Sequence, residues 1–196
     1  MYKFYILILF LIRINNSRQS LEVCFVPAEP IKPPCIQIVL AEIHKAQSFV
    51  KLMAYSYSLD AVTAALCAAV RKGVSCEILM DKKSTRFKYT VVQLEKFTSC
   101  GGKAYVDNSS VPIAHNKIMM IDNTTVTTGS INWSNNGFYK NAENMIILRN
   151  ESVFYDYMNY YNTRMKNSVP FKNFILHEYI DTCKIDLCDR DEYYLF

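Results

Sequence analysis

The stretch His115-Asn116-Lys117-Ile118-Met119-Met120-Ile121-Asp122, followed by Gly129-Ser130-Ile131-Asn132, decides how this chain is read. Written as a pattern it is H-x-K-x4-D-x6-G-S-x-N. On a β-strand, residues two apart point to the same face. His115 and Lys117 would share a face, and Ser130 and Asn132 repeat that spacing. Two adjacent strands carrying these pairs would converge an imidazole, an ammonium, a hydroxyl and an amide on one spot. That set suits a phosphate diester. The ammonium neutralises non-bridging oxygens, the hydroxyl and amide donate hydrogen bonds, and the imidazole attacks phosphorus or moves a proton. The competing reading is a hairpin with an incidental surface histidine; six positions at fixed spacing argue against it. Gly-Ser-Ile-Asn is not a G-x-S-x-G elbow, so Ser130 is not read as an esterase nucleophile. Asp122 opens a turn and is read as a turn-former rather than a base.

The pattern resembles the HKD motif of the phospholipase D superfamily at His115, Lys117, Asp122, Gly129, Ser130 and Asn132. The likeness runs from about Val23 to Lys166. Tyr55-Ser56-Tyr57 and Ala114-His115-Asn116-Lys117 look like the one-motif Nuc-type endonucleases, whereas Gly129-Ser130-Ile131-Asn132-Trp133-Ser134 is similar to the Zucchini-type mitochondrial members. The resemblance implies an α/β fold: a single domain with a central mixed sheet flanked by helices on both faces. It implies that Glu143 orients the catalytic His115, and that Lys117 and Asn132 cradle the phosphate. One motif supplies half a site, so it also implies a homodimer with the active site at the two-fold interface. The expected reaction runs through a phosphohistidine without metal or cofactor.

The 196 residues are enough for one domain with a substantial core. A hydrophobic content of 51% and a charged content of 20% mark a globular chain rather than a disordered one. The net charge of +4 permits a polyanionic partner without requiring one. No internal repeat or low-complexity tract is present.

Lys3 precedes the apolar run Phe4 to Ile12, which Arg13 closes. The run is too short to span a bilayer unaided and fits a secretory signal; a retained membrane anchor, including one in the mitochondrial outer membrane, is the alternative. The expected organisation is a signal or anchor over 1–20, a catalytic domain over 21–167 and a tail over 168–196. Seven cysteines are many for a reduced compartment. Val23-Cys24-Phe25-Val26-Pro27 with Cys35 is similar to the start of exported one-motif members, which implies a Cys24–Cys35 disulfide. A zinc cluster is the other reading, and it has no C-x2-C pair and only a badly spaced His44. Cys67, Cys76 and Cys100 fall in apolar settings and are read as core residues. If the tail closes a second bridge, it would be Cys183–Cys188.

In order, the chain predicts a strand over Val23–Val26 and a helix from about Pro34. A buried strand over Ser48–Tyr57 leads to a helix capped by Ser58 or Asp60 and ended by Gly73, then to a strand over Val74–Met80. That strand–helix–strand unit predicts a parallel crossover. Asp81 to Tyr89 reads as a loop. A short helix over Val91–Phe97 follows, then strands over Lys103–Val106, Ile113–Ile121, Thr124–Thr128 and Glu143–Leu148. An aromatic amphipathic helix over Phe154–Met165 ends the domain, with Trp133 packing beneath the site or stacking on a base. His44 and His177 have no supporting residues near them.

The loop sets Lys82, Lys83, Arg86 and Lys88 among Phe87 and Tyr89. Basic and aromatic residues together track a nucleic-acid backbone and stack bases, so Lys82, Lys83 and Lys88 are candidate substrate contacts; a solvated loop is the alternative. A nuclease would use this loop as the wall of a basic groove. A phospholipase acting on lipid headgroups, cardiolipin included, would instead use the apolar N-terminal run. Sequons begin at Asn15, Asn108, Asn123, Asn132 and Asn150; the one at Asn132 falls on the proposed site and is read as accidental.

Overall fold

The computed structural model describes residues 19–175. The apolar run Phe4 to Ile12, the sequon at Asn15, His177, Cys183 and Cys188 lie outside the described residues.

Eight strands form one sheet in the order β1-β7-β6-β5-β2-β3-β4-β8. They are β1 (Ser20–Val26), β2 (Phe49–Ala54), β3 (Ser75–Asp81), β4 (Lys103–Asp107), β5 (Lys117–Ile121), β6 (Thr125–Gly129), β7 (Glu143–Arg149) and β8 (Ser168–Pro170). β2, β3 and β4 are parallel, and the remaining pairings are antiparallel. The sheet is mixed, as expected. Its helices are α1 (Cys35–Lys45), α2 (Asp60–Arg71), α3 (Lys88–Ser99), α4 (Asn135–Tyr139) and α5 (Glu151–Met165).

Helices cover both faces because the inner strands are apolar on both. On β2, Val50, Leu52 and Ala54 join the core beneath α1, α2 and α3, while Met53 faces α5. Along β5, Met119 and Ile121 take the first side and Ile118 and Met120 the second. Such doubly covered strands read as continuous apolar runs rather than as alternation. The α5 side is closed by Phe154 and Tyr161, both buried.

The β5–β6 hairpin turns on Asp122 and Asn123, with φ of 48° and 62°. Two central residues at positive φ make the turn whose twist matches paired strands, and Asp and Asn tolerate that region. Asp122 does more than turn the chain. Its carboxylate accepts from the backbone N–H of Gln47 (2.6 Å), Ser48 (2.9 Å) and Phe49 (2.9 Å), pinning the start of β2 to the end of β5.

Several expectations are corrected. β5 begins at Lys117, so His115 precedes the strand rather than lying in it. The parallel crossover from β2 to β3 is present, but neither Ser58 nor Asp60 caps α2. The backbone N–H groups of Ser58 and Leu59 are instead taken by the Trp133 carbonyl, at 2.8 and 3.1 Å, and Asp60 pairs with Lys96 on α3. The loop after β3 tightens into a 3-10 turn at Ser84–Arg86, and α3 begins at Lys88. α4 and β8 carry no periodic apolar signal and were not expected. β8 pairs with Tyr105–Asp107 of β4, and Phe171 and Phe174 beyond it are buried, so the sheet and core continue past Asn167.

Cysteine chemistry is corrected in part. Cys24 and Cys35 are bonded, which removes the zinc alternative for that pair. Cys67 and Cys100 also form a disulfide, joining α2 to the end of α3, so they are not plain core thiols. Their separation of 33 residues left no local signal. Cys76 is free and buried, and burial pushes its thiol up to about 11. Disulfides persist in oxidising compartments. Among the described residues no helix is long and apolar enough to cross a membrane.

Candidate active site

Strand direction brings the motif together. Ala54 at the end of β2 pairs with Lys117 at the start of β5. Gly129 at the end of β6 pairs with Met145, and Val26 at the end of β1 pairs with Glu143 at the start of β7. His115, Lys117, Ser130, Asn132 and Glu143 therefore gather at one end of the sheet, with the carboxyl ends of the parallel strands β2 and β3. Open α/β sheets bind ligands at that end.

Lys117 is the buried member, 7% exposed. Its Nζ donates to the His115 carbonyl at 3.2 Å and lies 5.1 Å from the centre of the Tyr55 ring. Burial pushes the ammonium below the usual lysine range, and the Glu143 carboxylate draws it partly back. A desolvated cation next to solvent is well placed for an anion, because the anion recovers the electrostatic stabilisation that burial removed.

His115 is exposed, with its ring 4.5 Å from that of Tyr55. Tyr55 thus touches both motif residues, a role absent from the sequence reading. Its only signal was its place in the Tyr55-Ser56-Tyr57 triplet following β2. The neighbouring Tyr57 is fully buried and bonds to Thr63.

Ser130 is exposed, and its Oγ accepts from the Asn144 backbone N–H at 3.1 Å. Asn132 is half-buried, and its Oδ1 is buried without a hydrogen-bond partner. Ser130 and Asn132 follow β6 rather than lying on it, so the strand pleat expected to give them a shared face does not apply to them. The backbone around them is crowded. A Cβ on Gly129 would meet the Asn144 carbonyl at 2.2 Å, and a Cβ on Gly137 would meet the Asn132 carbonyl at 2.3 Å. Gly137 also donates its N–H to Ser134 Oγ at the start of α4. Gly129 was expected; Gly137 was missed, because nothing in Asn-Asn-Gly-Phe-Tyr marks a close approach.

Trp133 is fully buried, and its Nε1 donates to the Met53 carbonyl at 3.3 Å, so it packs beneath the site and is not open to a base. The hydrogen bond Glu143 accepts comes from Asn141 Nδ2 at 2.9 Å, and its charge acts on Lys117. Asp122 stands at the opposite end of β5, consistent with a structural role.

The basic loop splits. Lys82 is half-buried, its ammonium donating to the Ser109 carbonyl at 2.6 Å. Lys83, Phe87, Lys88 and Tyr89 are exposed, the two aromatic rings at 61% and 78%. Asp81 ties this loop to the segment before His115, accepting from Lys83 N–H and from Ala114 N–H.

Residues 39–165 match the family described as cardiolipin synthase, PLD-like domain. The chain is 31% identical over 158 residues to the phospholipase D of Rickettsia typhi, covering 79% of this chain and 73% of that one. It is 28% identical over 109 residues to the mitochondrial cardiolipin hydrolase of Xenopus laevis, covering 56% and 50%. Among solved structures, Nuc of Salmonella typhimurium, a phospholipase D family member, superposes with a TM-score of 0.72 at 26% identity, covering 78% of this chain and 98% of that one. NucT from Helicobacter pylori has the same fold, with a TM-score of 0.70 at 20% identity over 78% and 99% of the two chains. With a family match spanning most of the described residues and that fold around His115 and Lys117, the chain belongs to the phospholipase D superfamily of phosphodiesterases.

Proposed function

We propose that the protein hydrolyses nucleic-acid phosphodiesters through a phosphohistidine, as a homodimer, in an exported setting. The observation that carries the reading is the pairing of exposed His115 with buried, charge-poised Lys117 at the open end of the sheet. In the first step an imidazole nitrogen of His115 attacks phosphorus and the P–O bond to the leaving group breaks. The partner's His115 protonates the departing oxygen, then takes a proton from the water that opens the phosphohistidine. Lys117 and the Asn132 amide hold the non-bridging oxygens as charge develops. Ser130 is already engaged with Asn144 and steadies the loop carrying Asn132. Glu143 acts on Lys117 within one chain, which favours a charge-setting role over direct contact with His115.

The exposed basic and aromatic side chains after β3 favour nucleic acid, since lysines meet phosphates while rings stack on bases. A phospholipid is the second reading, favoured by the name of the Rickettsia typhi relative. Two disulfides support export.

The test offers single- and double-stranded DNA, RNA and mixed phospholipid vesicles to the purified protein, with excess EDTA throughout. Cleavage of nucleic acid that survives EDTA, disappears in His115→Asn and accompanies a dimer in sedimentation is the expected result. Headgroup release alone would transfer the reading to lipid. A fully active monomer would overturn the shared site.

A further inference from the structure

At the carboxyl end of β3, Asp81 is 1% exposed and stands opposite Asp107 in the parallel register of β3 and β4. The two carboxylates serve different loops. Asp107 accepts from Ser109 N–H at 3.1 Å and pairs with the Arg164 guanidinium, whose Nε lies 2.7 Å away. Asp81 collects main-chain donors from two places. Its Oδ1 accepts from Lys83 N–H at 2.9 Å and Ser84 N–H at 3.2 Å, with Ser84 Oγ at 3.5 Å. Its Oδ2 accepts from Ala114 N–H at 2.6 Å, across 33 residues of sequence.

Ala114 is the residue before His115. Residues 111–116 have no helix or strand of their own, so their placement depends on individual bonds. On one side of His115 the main chain is held by Asp81, and on the other by Tyr55 N–H donating to the Asn116 carbonyl at 2.9 Å. A short bond from an amide to a buried carboxylate is among the stronger ones available to a backbone. In-line attack is sensitive to placement of the attacking atom, and a displacement of about 1 Å costs on the order of 100-fold in rate.

We propose that Asp81 is a positioning residue that holds His115 at the reacting phosphate by gripping Ala114, and that it references the basic loop to the same carboxylate. The proposal rests on His115 being the attacking group.

The experiment uses bis(p-nitrophenyl) phosphate, a diester too small to need the basic loop, with the full chain. Asp81→Ala should lower kcat by roughly 10- to 100-fold, with KM changed less than about twofold, since Lys117 and Asn132 remain. The imidazole proton resonances of His115 should move while those of His44, on α1, stay in place. Ser84→Ala, which removes only the most distant donor, should keep the wild-type kcat. Should Asp81→Ala fail to fold, Ala114→Pro reads the same bond from the donor side, with the carboxylate intact. A folded variant of either kind with wild-type kcat and an unmoved His115 resonance overturns the proposal. His115→Asn separates the two failures. If it retains full activity, the attack by His115 is wrong; if it is inactive while Asp81→Ala is not, only the positioning role is wrong.

Discussion

The ammonium of Lys117 donates to the main-chain carbonyl of His115, 3.2 Å away. The side chain of one motif residue is thereby tied to the main chain of the other within one chain. Burial makes the cationic form of the ammonium less favoured than that of a solvated lysine, and the charge of Glu143 offsets this in part.

This bears on alkaline behaviour. Burial lowers the folded-state value of Lys117 below the ordinary 10.5. Activity that needs the ammonium should fall as pH rises through that lowered value. A bound phosphodiester favours the charged form, so the alkaline limb of kcat should lie at higher pH than that of kcat/KM, which reports the free enzyme. The sign for stability is opposite. Between the lowered value and 10.5 the unfolded chain binds more protons, so the contribution of Lys117 improves as pH rises through that window and is lost as pH falls through the lowered value. Lys117→Arg should move the limb out of range in any variant that retains activity. An unmoved limb would assign it to another group.

Asp122→Ala should destabilise without touching chemistry. Three backbone N–H groups lose their acceptor, at a cost of about 1–3 kcal/mol where water does not replace it. About 13 Å of strand separates Lys117 from Ile121, so kcat of the folded variant should match wild type. Urea midpoints and initial rates check both halves. A large loss of kcat at full folding would make Asp122 part of the site.

Peptide mapping without reductant should recover Cys24–Cys35 and Cys67–Cys100 as linked pairs. From loop length the bridges contribute about 3 and about 4 kcal/mol respectively. Cys76, with its thiol pushed up to about 11, should resist alkylation at pH 8 in the native protein and react only on unfolding. Rapid labelling of native Cys76 would contradict its burial.

The lysines after β3 should separate by their bonding. Lys83→Ala and Lys88→Ala should each reduce the log–log salt slope of nucleic-acid binding by about one. Lys82→Ala should leave the slope closer to wild type, because its ammonium already serves the Ser109 carbonyl. Equal effects at all three positions would mean that Lys82 releases Ser109 to meet phosphate.

Gly129→Ala should cost about 1–3 kcal/mol, because the new methyl group would lie against the Asn144 carbonyl at 2.2 Å. Calorimetry of the variant checks this, and an unchanged melting temperature would show that β6 and β7 can separate there freely.

The sequence by itself determined the family, the order of most strands and helices, and His115, Lys117 and Asn132 as the residues to watch. Those are local signals: apolar runs of strand length, a 3.6-residue stripe in the helices, and motif residues at fixed spacing. What the tertiary structure decided depends on meetings between distant segments. Asp81 reaching Ala114, Cys67 reaching Cys100, Tyr55 lying against both His115 and Lys117, and Gly137 pressed on the Asn132 backbone leave no periodicity to read. The shared face of His115 and Lys117 came from an assumed strand pleat. In the folded chain His115 stands before the strand, between two neighbours whose backbone is hydrogen-bonded: Ala114 N–H to the Asp81 carboxylate at the end of β3, and the Asn116 carbonyl from Tyr55 N–H. Spacing along a chain specifies which groups come near one another. Long-range hydrogen bonds and close backbone contacts specify where each group points.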